Sequence, residues 1–399
     1  MFTLLEIAIF SLLALFILYL FMLSVLALFA KKSFHVEAKK RRRFACIVPA
    51  HNEELTIEKT LRAFFASDYP PRFFDVIVVA DNCSDSTAEI ARANGATVYE
   101  RNDTLRRGKG HALQWCFERL AGAPKRYDAY VVVDADSVVS GKFLHVMNSY
   151  LERGFVSVQA ADLVEPKPGA WSSEVARVAL TLFNYVLPLG RKVIGCSAGL
   201  RGNGMCFSSE TVRTVPWQAH SLTEDLEYGL LLLLRGIPTV FAPEATVLAT
   251  MPVRPHNAES QRARWESGRA AMIRRYVPKL LNAVIRHPSL KLVDALIELL
   301  TPAFVNMMGI IIAATVVELL LPLAGIRGET VHVGLWVGLL AVCVLYILIG
   351  LAASGADALL FKATLYFPRY LFWKIRLYFK LLVNGVVKEW VRTTREGVQ

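Results

Sequence analysis

What the sequence lacks narrows its class first. The six cysteines (Cys46, Cys83, Cys116, Cys196, Cys206 and Cys343) contain no C-x-x-C pair, so neither a disulfide framework nor a zinc site is indicated, and a reducing compartment fits. There is no G-x-x-x-x-G-K-S/T, which argues against a P-loop ATPase, and no G-x-G-x-x-G after the first strand-like run, which disfavours a dinucleotide dehydrogenase. No basic residue precedes the first apolar stretch and no small-residue cleavage site closes it. It therefore reads as an uncleaved anchor and not as a signal peptide. Negative charge is in deficit: 34 Asp and Glu stand against 45 Lys and Arg, a net charge of +11.

That surplus does not point to nucleic acid, because of where it lies. It is concentrated in Lys31, Lys32, Lys39, Lys40, Arg41, Arg42 and Arg43, and again in Lys362, Arg369, Lys374, Arg376, Lys380 and Lys388. The second group is interleaved with Phe361, Tyr366, Tyr370, Phe372, Trp373 and Tyr378. Cations and aromatics mixed at helical spacing describe a helix at the lipid headgroup level.

Hydrophobic residues make up 54% of the 399 positions, and the excess sits at the two ends. From Leu4 to Ala30 only Glu6 is charged, and the run exceeds the roughly 20 residues needed to cross a bilayer. Pro302 to Leu323 and Val331 to Ala353 are two further spans, joined by a short loop around Gly325 to Thr330. Glu318 lies near the outer end of the first of these, where it faces protein or the interface more readily than an ion path. The basic cluster after the first span is expected to stay cytoplasmic. The resulting plan is an anchor (1–30), a basic juxtamembrane segment (31–43), a cytosolic domain (44–285), an interfacial linker (286–301), two spans (302–353) and a basic aromatic tail (354–399), in a cell inner membrane.

Between the anchors the chain reads as an α/β domain. "FACIVPA" (44–50), "DVIVVAD" (75–81) and "AYVVVDAD" (129–136) are short apolar runs suited to buried parallel strands, with helical patterns over 54–66 and 86–94. Each run ends in polar residues: "HNEE", "DNCSD" and "DADS". In an open α/β sheet the ligand crevice lies outside the carboxyl ends of the strands. Taken singly, these stretches also read as helix caps and Asx turns. Alternation along a strand would turn Asp134 and Asp136 to one side, and two converging carboxylates call for a cation. Hard oxygens select Mg²⁺ or Mn²⁺, which favour a diphosphate as further ligand. Lys109, flanked by glycines in "GKG", suits an anionic group that the backbone must approach closely.

The ordered set "IVPAHNEE", "VVADNCSDST", "GKGHAL", "VVVDAD", "LTED" (222–225) and "QRARW" (261–265) resembles the membrane-anchored family 2 glycosyltransferases. That group includes cellulose, chitin-oligosaccharide and hyaluronan synthases and ceramide glucosyltransferase. The resemblance implies a GT-A fold, a nucleotide-diphosphate sugar donor, a divalent metal and inversion at the anomeric carbon. Carried over by motif, Ala50, Asn52, Glu53 and Asp81 would line the nucleoside. Lys109 would approach the diphosphate, Asp134 and Asp136 would hold the metal, and Asp225 would be the general base. Gln261, Arg264 and Trp265 would close the site around diphosphate and acceptor sugar.

The glycine-rich "GLRGNGMCFS" (199–208) matches by position the loop that meets the acceptor, bringing in Gly202, Asn203 and Gly204, with Glu224 beside them; its residues depart from the usual pattern. Thr223 also reads as a helix N-cap, and Gln261 and Trp265 as neighbours on a helix face. Val175, Val178, Ala179, Leu182 and Val186 form one helical face, suited either to the membrane surface or to the domain's own core. The expected partners are a nucleotide-sugar donor, a lipid or glycan acceptor and the membrane. Three spans are few to enclose a polysaccharide channel, which favours single additions over processive synthesis. A catalytically idle nucleotide-sugar sensor is a third reading, opposed by the retention of Asp134, Asp136, Asp225 and Arg264.

Overall fold

The computed structural model describes residues 4–30, 40–166, 171–250, 259–321 and 330–384. Lys31, Lys32, Lys39 and Lys388 lie outside the described residues, as do the loop around Gly325 and the side chain of Gln261.

The chain opens with helix α1 (Leu4–Leu28) and enters the domain through β1 (Phe44–Ala50), α2 (Ile57–Phe65), β2 (Phe74–Asp81), α3 (Thr87–Ala93), β3 (Thr97–Arg101) and α4 (Lys109–Ala121). It continues with β4 (Ala129–Val132), β5 (Ser137–Val139), α5 (Phe143–Glu152) and β6 (Ser157–Val164). Next come α6 (Trp171–Thr181), a π-helical turn (Leu182–Val186), α7 (Leu187–Val193), β7 (Met205–Ser208), α8 (Ser209–Thr214), α9 (Glu224–Leu234) and β8 (Val240–Ala249). The remainder is helical: α10 (Glu259–Arg286), α11 (Leu290–Leu300), α12 (Phe304–Leu320), α13 (Thr330–Ser354), α14 (Ala358–Ala363) and α15 (Phe367–Asn384).

Eight strands form one sheet in the order β3-β2-β1-β4-β7-β6-β8-β5. The β3-β2-β1-β4 half is parallel, as the buried apolar runs predict. The other half is mixed, because β7 runs antiparallel to both β4 and β6. One face is packed by α2 and α5 through Leu61, Phe64, Phe143 and Met147, the other by α4 and α9 through Leu113, Phe117, Tyr228 and Leu232, all buried.

Strand β4 ends at Val132, four residues before the predicted end. Asp134 and Asp136 occupy a tight turn between β4 and β5, closed by the Ser137 amide donating to the Asp134 carbonyl at 3.2 Å. Their convergence therefore comes from a turn and not from strand alternation. The helices predicted over 54–66 and 86–94 are likewise shorter, beginning at Ile57 and Thr87. The polar residues ahead of each are used in loop-to-loop hydrogen bonds instead of extending the helix.

Two helices, Leu4–Leu28 and His332–Ser354, are long and apolar enough to cross a bilayer. The expected middle span differs. Helix α12 has 17 residues, about 26 Å at 1.5 Å per residue, short of a hydrocarbon core of about 30 Å. Among the described residues it reaches span length together with α11, from which it is bent by 62°. Residues 301–303, with Pro302 among them, form the break. Glu318 is buried in α12, facing protein.

Helices α6 and α7 run through the π turn and pack against α1 and α13, with Val178, Leu182 and Val186 in one cluster with Ile17, Leu23 and Ile347. The amphipathic face thus lies between the apolar helices and the sheet, sharing its cluster with Ala161 of β6 and Phe241 of β8. The contact is close. A Cβ on Gly190 would stand 2.2 Å from the Leu23 carbonyl oxygen, so only glycine lets α7 approach α1 at this point.

Candidate active site

At the carboxyl ends of β1 and β2, two polar loops latch onto each other. Asn52 adopts φ 57°, a left-handed conformation that Asn tolerates, and its Oδ1 accepts from the Ser84 amide at 2.7 Å. The Glu53 amide donates to Thr87 Oγ1 at 2.7 Å. Asp81, which closes β2, is buried and accepts from Arg101 Nη1 at 2.6 Å. Arg101 also holds Asp103 at 3.0 Å and the Arg106 carbonyl at 2.7 Å, shaping the loop that leads to Gly108 and Lys109. Ala50, Asn52, Glu53 and Asp81 line one wall of a cavity of about 1210 Å³.

Lys109 is the hub of this cavity. From the first turn of α4 its Nζ reaches Asp134 Oδ1 at 2.5 Å and the Gly202 carbonyl at 2.6 Å, with Glu224 Oε1 at 3.8 Å. Burial alone would lower its pKa, but Asp134 and Glu224 outweigh that and push it up, keeping the ammonium charged.

Asp225 lies on the first turn of α9, against the glycine-rich loop. A Cβ on Gly202, at φ +82°, would stand 3.1 Å from Asp225 Oδ2, so glycine keeps the carboxylate open to the cavity. Burial raises the pKa of Asp225, opposed by hydrogen bonding from the Leu226 amide and by the charges of Lys109 and Arg201. Glu224 is pushed up to about 7 by burial, against the pull of Lys109. Thr223 occupies the N-cap position but makes no side-chain cap hydrogen bond, and its Oγ1 is buried without a partner. Its side chain faces Gly268 of α10, where a Cβ would sit 2.5 Å from Thr223 Cγ2.

Arg264 and Trp265, in the early turns of α10, line the same cavity, with Arg264 Nε buried and without a hydrogen-bond partner. Of the predicted acceptor loop, Gly202 faces the cavity. Asn203 also lines the cavity and braces the interior: its Oδ1 accepts from the Asp134 amide at 3.1 Å, and its Nδ2 donates to Ser137 Oγ and Asp162 Oδ1, both at 3.0 Å. Gly204 is a correction. It does not line the cavity; a Cβ there would lie 2.8 Å from both Ala160 Cβ and Val247 Cγ2, so close strand packing accounts for this glycine.

The Asp134–Asp136 turn offers hard oxygen donors. Among the described residues, no group of three or more His, Cys, Asp or Glu is gathered to hold a metal. Two carboxylates without a third protein ligand suit Mg²⁺ or Mn²⁺, which complete their shells with water and substrate phosphate.

Several site residues escaped the motifs. Asp162 on β6 is half-buried, and its pKa is raised well above the usual range by desolvation and by the nearby Asp134; Asn184 in the π turn donates to its Oδ2 at 3.1 Å. Arg191, Arg201, Arg269 and Glu298 line the cavity where it turns toward the apolar helices. For Arg191 and Glu298 the signal is an ionisable residue inside an otherwise apolar helical stretch, "LPLGRKV" and "VDALIELL"; Arg201, in a glycine-rich loop, and Arg269, on a polar helix, carry no such signal.

A nucleotide-sized crevice at the strand ends of a mixed α/β sheet, with an acidic turn and a facing carboxylate, defines a GT-A architecture. The mannosyltransferase from Pyrobaculum calidifontis, solved in complex with GDP-Man and Mn²⁺, superposes with a TM-score of 0.56 at 16% identity, covering 86% of this chain and 99% of that one. Residues 41–268, more than half of the chain, match the model described as Glycosyltransferase like family 2, and the chain belongs to that family. A beta-monoglucosyldiacylglycerol synthase of Trichormus variabilis is 29% identical over 192 residues, 45% of this chain and 39% of the relative. A probable glycosyltransferase, YdaM, of Bacillus subtilis is 25% identical over 254 residues, 59% of this chain and 57% of the relative. The chain thus spans between 39% and 57% of the length of these two curated relatives.

Proposed function

We propose that this cavity is the active site of an inverting, metal-dependent glycosyltransferase that moves a sugar from a nucleotide-diphosphate sugar, a UDP-sugar by preference, to a hydroxyl of a lipid-linked or membrane-bound acceptor. The observation that carries the reading is continuity: one cavity holds Asp134, Asp136, Lys109 and Asp225 and extends to Phe304, Ile347 and Phe367 of the apolar helices. A donor seated at the strand ends and an acceptor arriving from the bilayer would meet at Asp225. The synthase relative named for a diacylglycerol product supports a lipid acceptor.

In this reading the acceptor oxygen attacks the anomeric carbon from the face opposite the diphosphate, and its proton passes to Asp225. The bond from that carbon to the diphosphate oxygen breaks, and the electron pair leaves with the nucleoside diphosphate. Charge develops on the leaving group, where Lys109 and Arg264 stand. A divalent ion held by Asp134 and Asp136 would supply further charge neutralisation there. Ala50, Asn52, Glu53 and Asp81 bind the nucleoside, and Trp265 offers an apolar plane for the acceptor. The domain is cytosolic in this scheme, with the basic segment 31–43 holding it to the inner leaflet of a cell inner membrane.

The test is calorimetric titration of the full chain with UDP and GDP in Mn²⁺, followed by transfer from labelled UDP- and GDP-hexoses in membrane vesicles. The expected outcome is binding of one nucleotide, lost at least tenfold in Asp136→Asn and abolished by EDTA. Binding that is indifferent to both treatments would remove the metal from the scheme, and no binding of either nucleotide would sink the reading.

A further inference from the structure

Seven lysine and arginine side chains line the cavity, and they differ in whether their charge is already matched. At the strand ends Arg107 is exposed and Arg264 keeps a buried Nε without an acceptor. Among the described residues neither is paired with a carboxylate. This half has positive charge to spare, as a diphosphate site requires.

Toward the apolar helices the opposite holds. Arg191, fully buried, places Nε 3.0 Å from Asp294 Oδ2 and Nη1 2.9 Å from Glu298 Oε1. It also donates from Nη2 to the Tyr19 hydroxyl at 2.8 Å, and that hydroxyl donates to Asp294 Oδ1 at 2.7 Å. Arg201 reaches the same Glu298 oxygen at 2.8 Å and lies over the Phe183 ring at 4.3 Å. Arg269 is spent on the carbonyls that end α11, Leu299 at 3.2 Å and Thr301 at 2.6 Å. Lys374 pairs with Glu266 at 3.1 Å. Four cations thus face three carboxylates and a helix C-terminus, and Asp225 and Glu224 lie just beyond. The remaining wall is apolar, with Val178, Leu182, Phe304, Ile347 and Tyr370.

We infer that the membrane-side arm of this cavity takes a lipid whose head is an uncharged hydroxyl, and not a lipid phosphate. The inference rests on the proposed function and specifies its acceptor. A phosphate would bring one or two negative charges into a half-buried arm whose cations already face carboxylates or carbonyls and whose neighbours toward the strand ends are the carboxylates Asp225 and Glu224, so its desolvation would go uncompensated. A neutral hydroxyl needs a base for its proton, apolar walls for its chains and a donor for a neutral oxygen. Asp225 supplies the first and the helices the second. Arg201 Nε, buried and without a hydrogen-bond partner, supplies the third. Proton and electron balance follow the displacement above: the lipid oxygen bonds to the anomeric carbon, its proton goes to Asp225, and the nucleoside diphosphate departs with the electron pair, leaving a glycoside and not a glycosyl phosphate.

The two products differ in chemistry, which provides the test. The full chain is reconstituted in vesicles of bacterial total-lipid extract supplemented with equal mole fractions of a diacylglycerol and a polyprenyl phosphate. It is then incubated with labelled UDP- and GDP-hexoses, the lipids are extracted, and half of the extract is treated with mild acid. The expected result is label in the organic phase that survives acid, at least tenfold above any acid-released label. Label released by acid as free sugar, label confined to water-soluble product, or no lipid product from a chain that binds nucleoside diphosphate would each overturn the inference; a chain that binds no nucleotide would instead overturn the function on which it rests. Ala179→Trp, which narrows the arm, should lower lipid transfer tenfold or more with nucleotide binding unchanged. Undiminished transfer in that variant would place the acceptor elsewhere.

Discussion

The two halves of the cavity treat charge in opposite ways. At the strand ends, among the described residues, Arg107 and Arg264 form no ion pair, and Lys109 bridges Asp134 and a backbone carbonyl where a ligand can replace either contact. Beside the apolar helices the guanidinium charges of Arg191 and Arg201 are matched by carboxylates, and Arg191 alone meets Tyr19, Asp294 and Glu298. Unmatched charge marks a site that awaits an ion; matched charge ties elements together. Tyr19 lies on α1, Arg191 on α7, and Asp294 and Glu298 on α11, so the network fixes the first apolar helix to the domain that carries the chemistry.

The difference is sharpened most by removing Asp225, which lies where the halves meet. In the proposed mechanism Asp225 takes the acceptor proton, and Asp225→Asn keeps the shape while removing that function, so kcat should fall about 10²–10⁴-fold with nucleotide affinity nearly intact. Steady-state kinetics beside calorimetry read both quantities. The pH profile carries the sign. Asp225 works ionised and burial raises its pKa, so activity should decline as pH falls through a value above the ordinary aspartate range, with full activity on the alkaline side of that limb. An acid limb at the ordinary aspartate pKa would contradict the burial of the base, and an Asn variant that turns over normally would move the base to Glu224, whose limb is expected at about 7.

Much of the strand-end half was legible in the sequence, because its signals are local. "FACIVPA" is β1 over the same residues, and "DVIVVAD" differs from β2 by one residue. Each ends in the polar loop that lines the cavity. The DAD turn was found as a motif, but its geometry was misread: Ala129–Val132 is strand, and the turn begins before the first aspartate. The membrane half was legible only as hydropathy. The pairing of Arg191 with Asp294 and Glu298 spans about a hundred positions of chain, and no periodicity reports a partner so distant. The same distance hid the antiparallel placement of β7 between β4 and β6 and the packing role of Gly204, which a glycine-rich motif made look like a ligand loop.

Breaking the matched charge should cost stability before it costs chemistry. Arg191→Met strands Asp294 and Glu298 in a buried setting, and loss of one partner from a buried pair typically costs about 3–5 kcal/mol. Thermal unfolding in detergent should register a large downward shift, and nucleotide affinity, where protein survives, should stay within a few-fold of wild type. A stable variant with weakened nucleotide binding would invert the assignment of the two halves.

The smallest effect is expected at a matched pair outside the cavity, where pairing is not reinforced by burial. Lys59 Nζ lies 2.7 Å from Glu165 Oε1, with side chains 50% and 33% exposed. The geometry resembles that of the Arg191 pairs, but water screens both charges and the lysine loses side-chain entropy in holding its place, so such contacts are worth about 0.2–1 kcal/mol. Lys59→Ala should therefore lower stability by no more than that amount, by less in high salt, and leave transfer unchanged. The contrast with Arg191→Met reads burial and the number of partners together, since ion-pair distance is nearly constant between them. A loss at Lys59 comparable to that at Arg191 would mean that the network is held by distance-dependent attraction alone, and the argument that matched charge in the membrane arm excludes a phosphate would lose its physical basis.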